Sequence, residues 1–568
     1  MGRCSSSKTE YGCQKGQKEV KSPKTYVKDV LLEALRSCGF DRPHTEKVGV
    51  SLPKNPRWGD YSTNSPFLLA EVSGKEPEET AARIVDAIPK EMFDRVEVAA
   101  GFINFTLSRD FLFEFVREAS RSGLEYARND SGKGKSILIE FVSANPTGPL
   151  VVVNARAAAI GDSLTRIFRH CGYKAESEFY IDDAGRQVEM LALSVEARLK
   201  QLLGQEAKIP KDGYAGEYVV DLAKGLLSDA EHLLSLGPEE RLSRFREYAL
   251  EKMLASQKDS LEAFGVEFDN WANESSFRGE GGTDRLLETL KKVGDTYEDG
   301  GALWFRSSGY GDERDRVIKK STGDLTYLVA DSAYHANKFD RKFDRILDLF
   351  GPDHHAQVPS LKAVLKALGY PGEKLEVLTV QWVTLVKEGK KLSMSKRGGT
   401  FITMDELTED VGKDVARFLF LMRRPSSHLD FDIDLAKKTS EENPVYYVQY
   451  AHARICSILD YAGQQGVAMP GLEEADLSLL SKPEERDLIV RIASFTDLVV
   501  ECMEELSPHR IPFFLQDLAS SFHNFYHKHR VVTDDKPLSQ ARLLLCDALR
   551  ATIATGLSLI GVSAPEKM

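Results

Sequence analysis

Ser136 to Val142 (SILIEFV) is an almost unbroken run of apolar and β-branched residues, the pattern of a strand buried on both faces of a parallel sheet. A loop with two prolines and a glycine follows, Ser143 to Leu150. Then comes an alanine-rich stretch, Ala155 to Cys171, that reads as a helix. A second strand around Glu176–Ile181 completes a βαβ unit. Residues 190–300 have mostly helical patterning and interrupt the sheet. Strand-like runs resume at Ala302–Phe305, Arg345–Phe350 and Leu375–Val383, and from about residue 440 the pattern is helical to the end. Ahead of the first strand, the chain reads as a small α+β domain. It has helices at Val27–Cys38 and Thr80–Ile88 and short strands that end at Val96–Phe105. The polar stretch Arg128–Lys135 (RNDSGKGK) reads as a linker. The predicted organisation is a flexible basic tail (1–24), an α+β domain (25–112), a parallel-sheet domain (130–438) with a helical insertion at about 190–300, and an all-α domain (439–568). The fold class is multidomain α/β plus all-α.

Composition narrows the function only a little. The chain has 568 residues, a formal net charge of −12 and 29 % charged residues, which is ordinary globular composition and excludes a generally sticky nucleic-acid binder. The seven cysteines are scattered without CxxC spacing, so neither a zinc site nor a disulfide framework is expected, and the chain suits a reducing cytoplasm. No apolar run is long enough to span a membrane. Leu543–Val562 carries Asp547 and Arg550 and reads as a packed helix. The first residues, MGRCSS, match the short myristoylation pattern; the plainer reading is a basic tail with six Lys/Arg and two Glu in residues 1–24.

Two segments carry candidate chemistry. Glu140 to Asp162 (EFVSANPTGPLVVVNARAAAIGD) leads from a buried strand through a loop into a helix, and unpaired N–H groups at such a helix start attract phosphate. It is not a GxxxxGK[ST] loop, which argues against a P-loop NTPase. Lys387 to Phe401 (KEGKKLSMSKRGGTF) is basic and glycine-flanked and follows an apolar strand, so Lys396 is placed to meet a polyphosphate.

Together the two segments resemble the HIGH and KMSKS signatures of class I aminoacyl-tRNA synthetases. PRWGDYSTN (56–64), GFINF (101–105), YIDDAGRQ (180–187), GDLTYLVADSAYH (323–335), FGPDHH (350–355), NPVYYVQYAHAR (443–454), FYHKHRV (525–531) and DALR (547–550) narrow the resemblance to the arginyl-tRNA synthetase family, over about residues 25–568. The resemblance implies a Rossmann-like catalytic domain between an N-terminal tRNA-binding module and a DALR-type helical anticodon-binding domain. It implies that ATP activates L-arginine as arginyl-adenylate, which is then transferred to the 3′-terminal ribose of tRNA(Arg). ATP is a substrate accompanied by Mg²⁺, no metal is tightly bound, and the protein is expected to be a cytoplasmic monomer that does not engage membranes.

The same resemblance implies residue roles. Arginine is held by Glu140, Asn145, Tyr327 and Asp331, a set that suits a planar, permanently charged guanidinium. ATP is met by Thr147, Gly148, Pro149, Asn154, Asp353, His354, His355, Met394 and Lys396. Catalysis falls to Lys396, Asn154 and Ser395, by positioning and neutralisation of phosphate charge. Asn64, Asn104, Tyr446, Tyr450, His452 and Met568 face tRNA, with Arg417, Arg423 and Arg424 as a basic patch. Phe522, Phe525 and Tyr447 are read as bundle packing.

The chain departs from the family at HxGH, which here reads Val151, Val152, Val153, Asn154, so two phosphate donors are missing and Val153 stands where adenine would pack. In the second motif the first lysine is Ser393 and the last position is Arg397, with Lys390 or Lys391 as substitute charges. An alternative reading follows from the departure: a catalytically impaired, synthetase-like protein that binds tRNA or arginine.

Overall fold

The computed structural model describes residues 21–568, apart from 54, 280 and 393–400. The chain divides into two compact units at Glu118/Ala119, inside the helix Arg109–Ser122.

In the first unit a three-stranded antiparallel sheet runs β1 (Tyr61–Thr63), β3 (Phe102–Leu107), β2 (Phe93–Ala99) in spatial order. The helix Pro23–Ser37 starts at Ser22, whose hydroxyl accepts from the Thr25 N–H, with Pro23 at the first helical position. Its buried residues Val27, Val30, Leu31, Ala34 and Leu35 recur at three and four, which makes one apolar stripe. The helix Pro77–Ala87 matches the expected Thr80–Ile88 within a turn. A helix at Ser65–Ser73 was not legible, because Phe67, Leu68 and Val72 stay exposed and no stripe forms.

The second unit is built on five parallel strands: β4 (Ser136–Glu140), β5 (Lys174–Ile181), β6 (Asn270–Asn273), β7 (Arg345–Phe350) and β8 (Leu375–Thr379), in the order β8-β7-β4-β5-β6. Helix α1 (Val152–His170) crosses from β4 to β5 and begins three residues before the expected Ala155. Gly161 lets it approach the sheet, since a Cβ there would lie 2.1 Å from the Phe141 ring. The insertion after β5 is helical, including α2 (Pro238–Ala263), and packs its own core around Leu191, Leu199 and Phe245.

Four expectations need correction. β6 lies inside the stretch read as helical insertion; NWAN is too short and too polar to register as a strand. Ala302–Phe305 does not rejoin the main sheet but pairs with 296–299 and 316–319 in a separate antiparallel sheet. The run Leu375–Val383 is split: Leu375–Thr379 is β8, while Val383–Lys387 pairs with 390–391 and 429–432 in another small sheet. Arg128–Lys135 is no free linker, because Asn129, Gly132 and Gly134 donate backbone bonds to His170, Cys171 and Gly172.

Helix α3 (Tyr327–Asp340) precedes β7. The C-terminal bundle is α4 (Pro444–Gln464), α5 (Pro483–Glu504), α6 (Arg510–Lys528) and α7 (Lys536–Leu559). Within this unit the bundle is fastened by Tyr126, whose hydroxyl donates to the Ile492 carbonyl (2.8 Å), and by Thr555, which donates to Gly123 (3.0 Å). Arg417 is the buried clasp. It donates to the carbonyls of Ile560 (3.0 Å) and Phe264 (3.3 Å) and pairs with Asp162 of α1. It is therefore not part of a basic surface patch. No helix among the described residues is long and apolar enough to cross a membrane.

Candidate active site at the carboxyl ends of the parallel sheet

β4 is followed in the chain by β5 and β6 on one side of the sheet and by β7 and β8 on the other. The chain order therefore reverses between β4 and β7, and open α/β sheets bind ligands beyond the strand ends at such a switch point. Glu140 and Asp348 are register partners there.

β4 ends in a tight turn. The Ser143 N–H donates to the Phe141 carbonyl (2.9 Å) around Val142, which has φ +68°, and Ser143 itself has φ +38°. Left-handed backbone at a β-branched residue costs on the order of 1–3 kcal/mol. Side-chain bonds hold it: Ser143 Oγ donates to Glu140 Oε1 (2.7 Å) and accepts the Tyr180 N–H (3.1 Å). The next turn of the loop is held from the insertion. Gln257 of α2 donates to the carbonyls of Asn145 (3.2 Å) and Gly148 (2.9 Å), and the Tyr218 hydroxyl donates to that of Thr147 (2.8 Å). Thr147 and Gly148 are buried, and Pro149 is half-buried. Gln257 and Tyr218 lie in a helical region with no motif, and no sequence signal pointed to them.

The altered HIGH segment forms the start of α1. Val152 is buried in the core and Val151 and Val153 are half-buried. Asn154 spends its side-chain oxygen on capping, accepting the Val151 N–H at 3.0 Å, so only its amide N–H₂ remains as a donor. Leu150 accepts from the Met404 N–H (2.8 Å) and Val151 bridges to Thr403, which brings this segment against the residues that follow 393–400. Met394, Ser395 and Lys396, like Ser393 and Arg397, lie outside the described residues. Asp353, His354 and His355 stand together on an exposed turn, Pro352–Gln357, immediately beyond β7. Arg156, also in α1, is fully buried and donates to the carbonyls of Gln381 (2.8 Å), Trp382 (3.4 Å) and Arg424 (3.0 Å).

Of the residues expected to hold arginine, Glu140, Tyr327 and Asp331 come together between β4 and α3. Glu140 and Asp331 are buried, Tyr327 leaves half of its surface open, and Asn145 donates to Gln187 (2.9 Å). The Tyr327 phenol is pushed up, by desolvation first and then by the carboxylates of Asp331, Glu140, Asp182 and Glu274. Residues not anticipated complete the floor. Lys338 donates to Glu140 Oε2 and to Asp348 Oδ1 (2.7 Å); His335 Nε2 meets Asp348 Oδ2 (2.7 Å), and His335 Nδ1 faces the carbonyl (2.8 Å) and carboxylate (3.1 Å) of Asp331. Tyr334 donates to Glu178 Oε1 (2.7 Å), which also takes a two-pronged bond from Arg341 (2.6 and 2.8 Å). The Tyr180 hydroxyl donates to Glu274 (2.7 Å). Glu140, His335 and Asp348 are close enough to hold a metal ion, but the cation among them is the Lys338 ammonium. The i, i+3, i+4 and i+7 spacing of Asp331, Tyr334, His335 and Lys338 was a usable sign of one helix face.

The residues expected at tRNA fare unevenly. Asn104 is buried on β3 with its side-chain oxygen unpartnered, whereas Asn64 is exposed at the start of the helix Ser65–Ser73. His452 is buried as well, with Nδ1 on the Pro565 carbonyl (2.8 Å), so it fastens the C-terminal segment. Tyr446 is half-buried and Met568 exposed. Tyr450 stacks on His523 (5.9 Å between centroids), and the Arg454 guanidinium lies over Tyr450 (5.9 Å) and Tyr526 (5.4 Å). Phe522 and Phe525 are buried in the bundle.

Comparison with known proteins matches this architecture along its length. Three family models fit in order: the arginyl-tRNA synthetase N-terminal domain on residues 25–107, the class I (R) tRNA synthetase catalytic domain on 118–420 and the DALR anticodon-binding domain on 448–568. The chain is 44 % identical over 554 residues to an arginine–tRNA ligase of Syntrophotalea carbinolica, covering 96 % of this chain and 100 % of the relative. It is 43 % identical to that of Symbiobacterium thermophilum, covering 95 % and 97 %. The solved arginyl-tRNA synthetase of Thermus thermophilus superposes with a TM-score of 0.76 at 25 % identity, over 96 % of this chain and 100 % of that one. A parallel sheet with a buried acidic cluster at its switch point, followed by a helical DALR bundle, thus sits in a chain that belongs to the class I arginyl-tRNA synthetase family.

Proposed function

We propose that this protein is an arginine–tRNA ligase that uses ATP, with Mg²⁺ on its phosphates, to form arginyl-adenylate and then charges the 3′-terminal ribose of tRNA(Arg). The observation that carries the reading is the pair Glu140 and Asp331, two buried carboxylates brought from β4 and α3 to one pocket, in a chain that aligns end to end with arginine–tRNA ligases. A guanidinium is planar and permanently charged, and paired carboxylates with a phenol such as Tyr327 match its fork of donors. Arginine's own carboxylate is the nucleophile. It attacks the α-phosphorus of ATP in line and pyrophosphate leaves, so the protein's task is to position the groups and to neutralise charge. Lys396 is assigned the phosphate charge, with Ser395 and Met394 beside it, and the first turn of α1 supplies backbone N–H groups that need no histidine. His354 and His355 are assigned as replacement donors for the missing HxGH pair, and the Asn154 amide as a third.

In this reading residues 25–112 and 439–568 are the tRNA-binding modules around a catalytic domain at 130–438. Asn64, Asn104, Tyr446, Tyr450, His452 and Met568 are the tRNA-contact candidates, and the protein works as a cytoplasmic monomer. The binding-only alternative is not favoured, since the relatives matched over their full length are ligases. The test is attachment of labelled arginine to total tRNA with ATP and Mg²⁺, against Lys396→Ala. Charging that falls at least a hundredfold in the variant supports the ligase; tRNA binding without charging by the wild type overturns it.

A further inference from the structure

The floor of the pocket is one continuous chain of contacts. Glu140 receives Lys338, Lys338 also reaches Asp348, Asp348 receives His335, and His335 turns to Asp331. Its two ends, Glu140 and Asp331, are the carboxylates assigned to the guanidinium, although they come from different elements. All five groups are buried, with Lys338 and Asp348 fully so. Buried charges persist only when paired, and breaking one pair leaves its partner uncompensated. Three carboxylates against one ammonium and one imidazolium leave a single negative charge, the complement of one guanidinium. Two further carboxylates, Asp182 and Glu274, act on the neighbouring Tyr327 phenol and add to the negative potential. Glu178 on β5 is neutralised by Arg341, and Tyr334 and Tyr327 on α3 are phenols held in their neutral form.

We propose that Lys338 is a positioning residue of the arginine site, resting on the ligase reading: it cancels Asp348 so that Glu140 stays ionised and turned toward the substrate. Without Lys338, Glu140 and Asp348 are neighbouring carboxylates in a dry site, and one of them takes a proton. Burial already pushes Glu140 up while Asp348 is held low, at about 2, so the proton goes to Glu140. A neutral Glu140 binds the guanidinium poorly.

The test compares Lys338→Met with Asp348→Asn. Both break the Lys338–Asp348 pair, but only the first deprives Glu140 of its cation. Arginine KM in the charging assay and arginine Kd by calorimetry are measured from pH 6 to 9, with folding checked by circular dichroism. The proposal expects K338M to raise KM at least tenfold at pH 7, with KM falling as pH rises because Glu140 regains its charge. D348N leaves Glu140 its cation, so whatever the size of its KM, both it and the wild type should be flat with pH. Equal, pH-independent rises in the two variants mean a merely structural role and overturn the proposal, as does an unchanged K338M. If K338M does not fold, D348N decides alone, a KM that falls as pH rises overturning the proposal, since Lys338 would then fail to keep Glu140 ionised. A wild type that binds arginine without charging tRNA ends the ligase reading, and the comparison then runs on Kd; a wild type that binds no arginine ends both.

Discussion

Gly161 of α1 lies so close to Phe141 that an added Cβ would stand 2.1 Å from the ring. The helix that begins in the altered HIGH segment is seated on the sheet by that missing side chain, immediately beside the strand end that carries Glu140. Glycine inside a helix normally costs about 1 kcal/mol relative to alanine. Here Gly161→Ala should instead destabilise by about 1–3 kcal/mol through overpacking and raise KM for ATP as α1 lifts. Chemical denaturation with charging kinetics checks it; a stabilised variant means that the contact relaxes freely.

Removing charge from the pocket should weaken arginine specifically. Glu140→Gln and Asp331→Asn each delete a charged acceptor, worth about 1.5–3 kcal/mol. KM for arginine is expected to rise about tenfold to a hundredfold while KM for ATP moves little. Equal effects on both substrates would place these residues outside the arginine pocket.

His335 gives the fold a pH signature. Burial, the largest influence, and Lys338 both pull its imidazolium down, but Asp331 and Asp348 overcome them and leave it raised to about 10. A folded-state value above the ordinary value of about 6.5 means that folding takes up a proton between those two limits. The stabilisation is complete below the lower limit and is lost as pH rises toward the upper one. Guanidinium unfolding at pH 6, 8 and 10 should show stability falling over that window in the wild type, with a flatter profile in His335→Gln. Parallel profiles would remove His335 as the cause.

Arg417 clasps the end of α7 to α1 through Ile560 and Asp162. Arg417→Met leaves Asp162 with only the partly exposed Arg166, and loss of a buried partner typically costs about 3–5 kcal/mol. We expect thermal unfolding at a lower temperature and, at a temperature where the variant stays folded, tRNA affinity close to the wild type. A selective loss of tRNA affinity with unchanged stability would restore Arg417 to the RNA surface.

The periodic elements and the pocket differed in how far they were legible. Ser136–Val142 announced a buried strand because both faces of β4 are covered, and Tyr327 with Asp331 fell on one helix face by spacing alone. Asn270–Asn273 hid because four half-buried residues at a sheet edge have no apolar run to display. Asp348 and Gln257 were missed for a different reason: each matters through a partner far away in the chain and leaves no periodic mark, whereas Lys338 fell on the helix face of Asp331 and His335 without being read there. His452 and Asn104 show the limit of motif membership: it says that a residue is used and leaves open whether it faces a ligand or the core.

Arg156 has a consequence of another kind. Three backbone carbonyls hold its guanidinium, and among the described residues no carboxylate cancels it; desolvation draws it down only to about 10, so it is charged at neutral pH. The end of α1 assigned to the phosphates therefore keeps a built-in positive potential even though histidines are absent from its first turn. Mobile ions screen an interior charge far less than a surface lysine. Attraction of the nucleotide to this end of the sheet should thus persist at ionic strengths that strip tRNA from the outer surface.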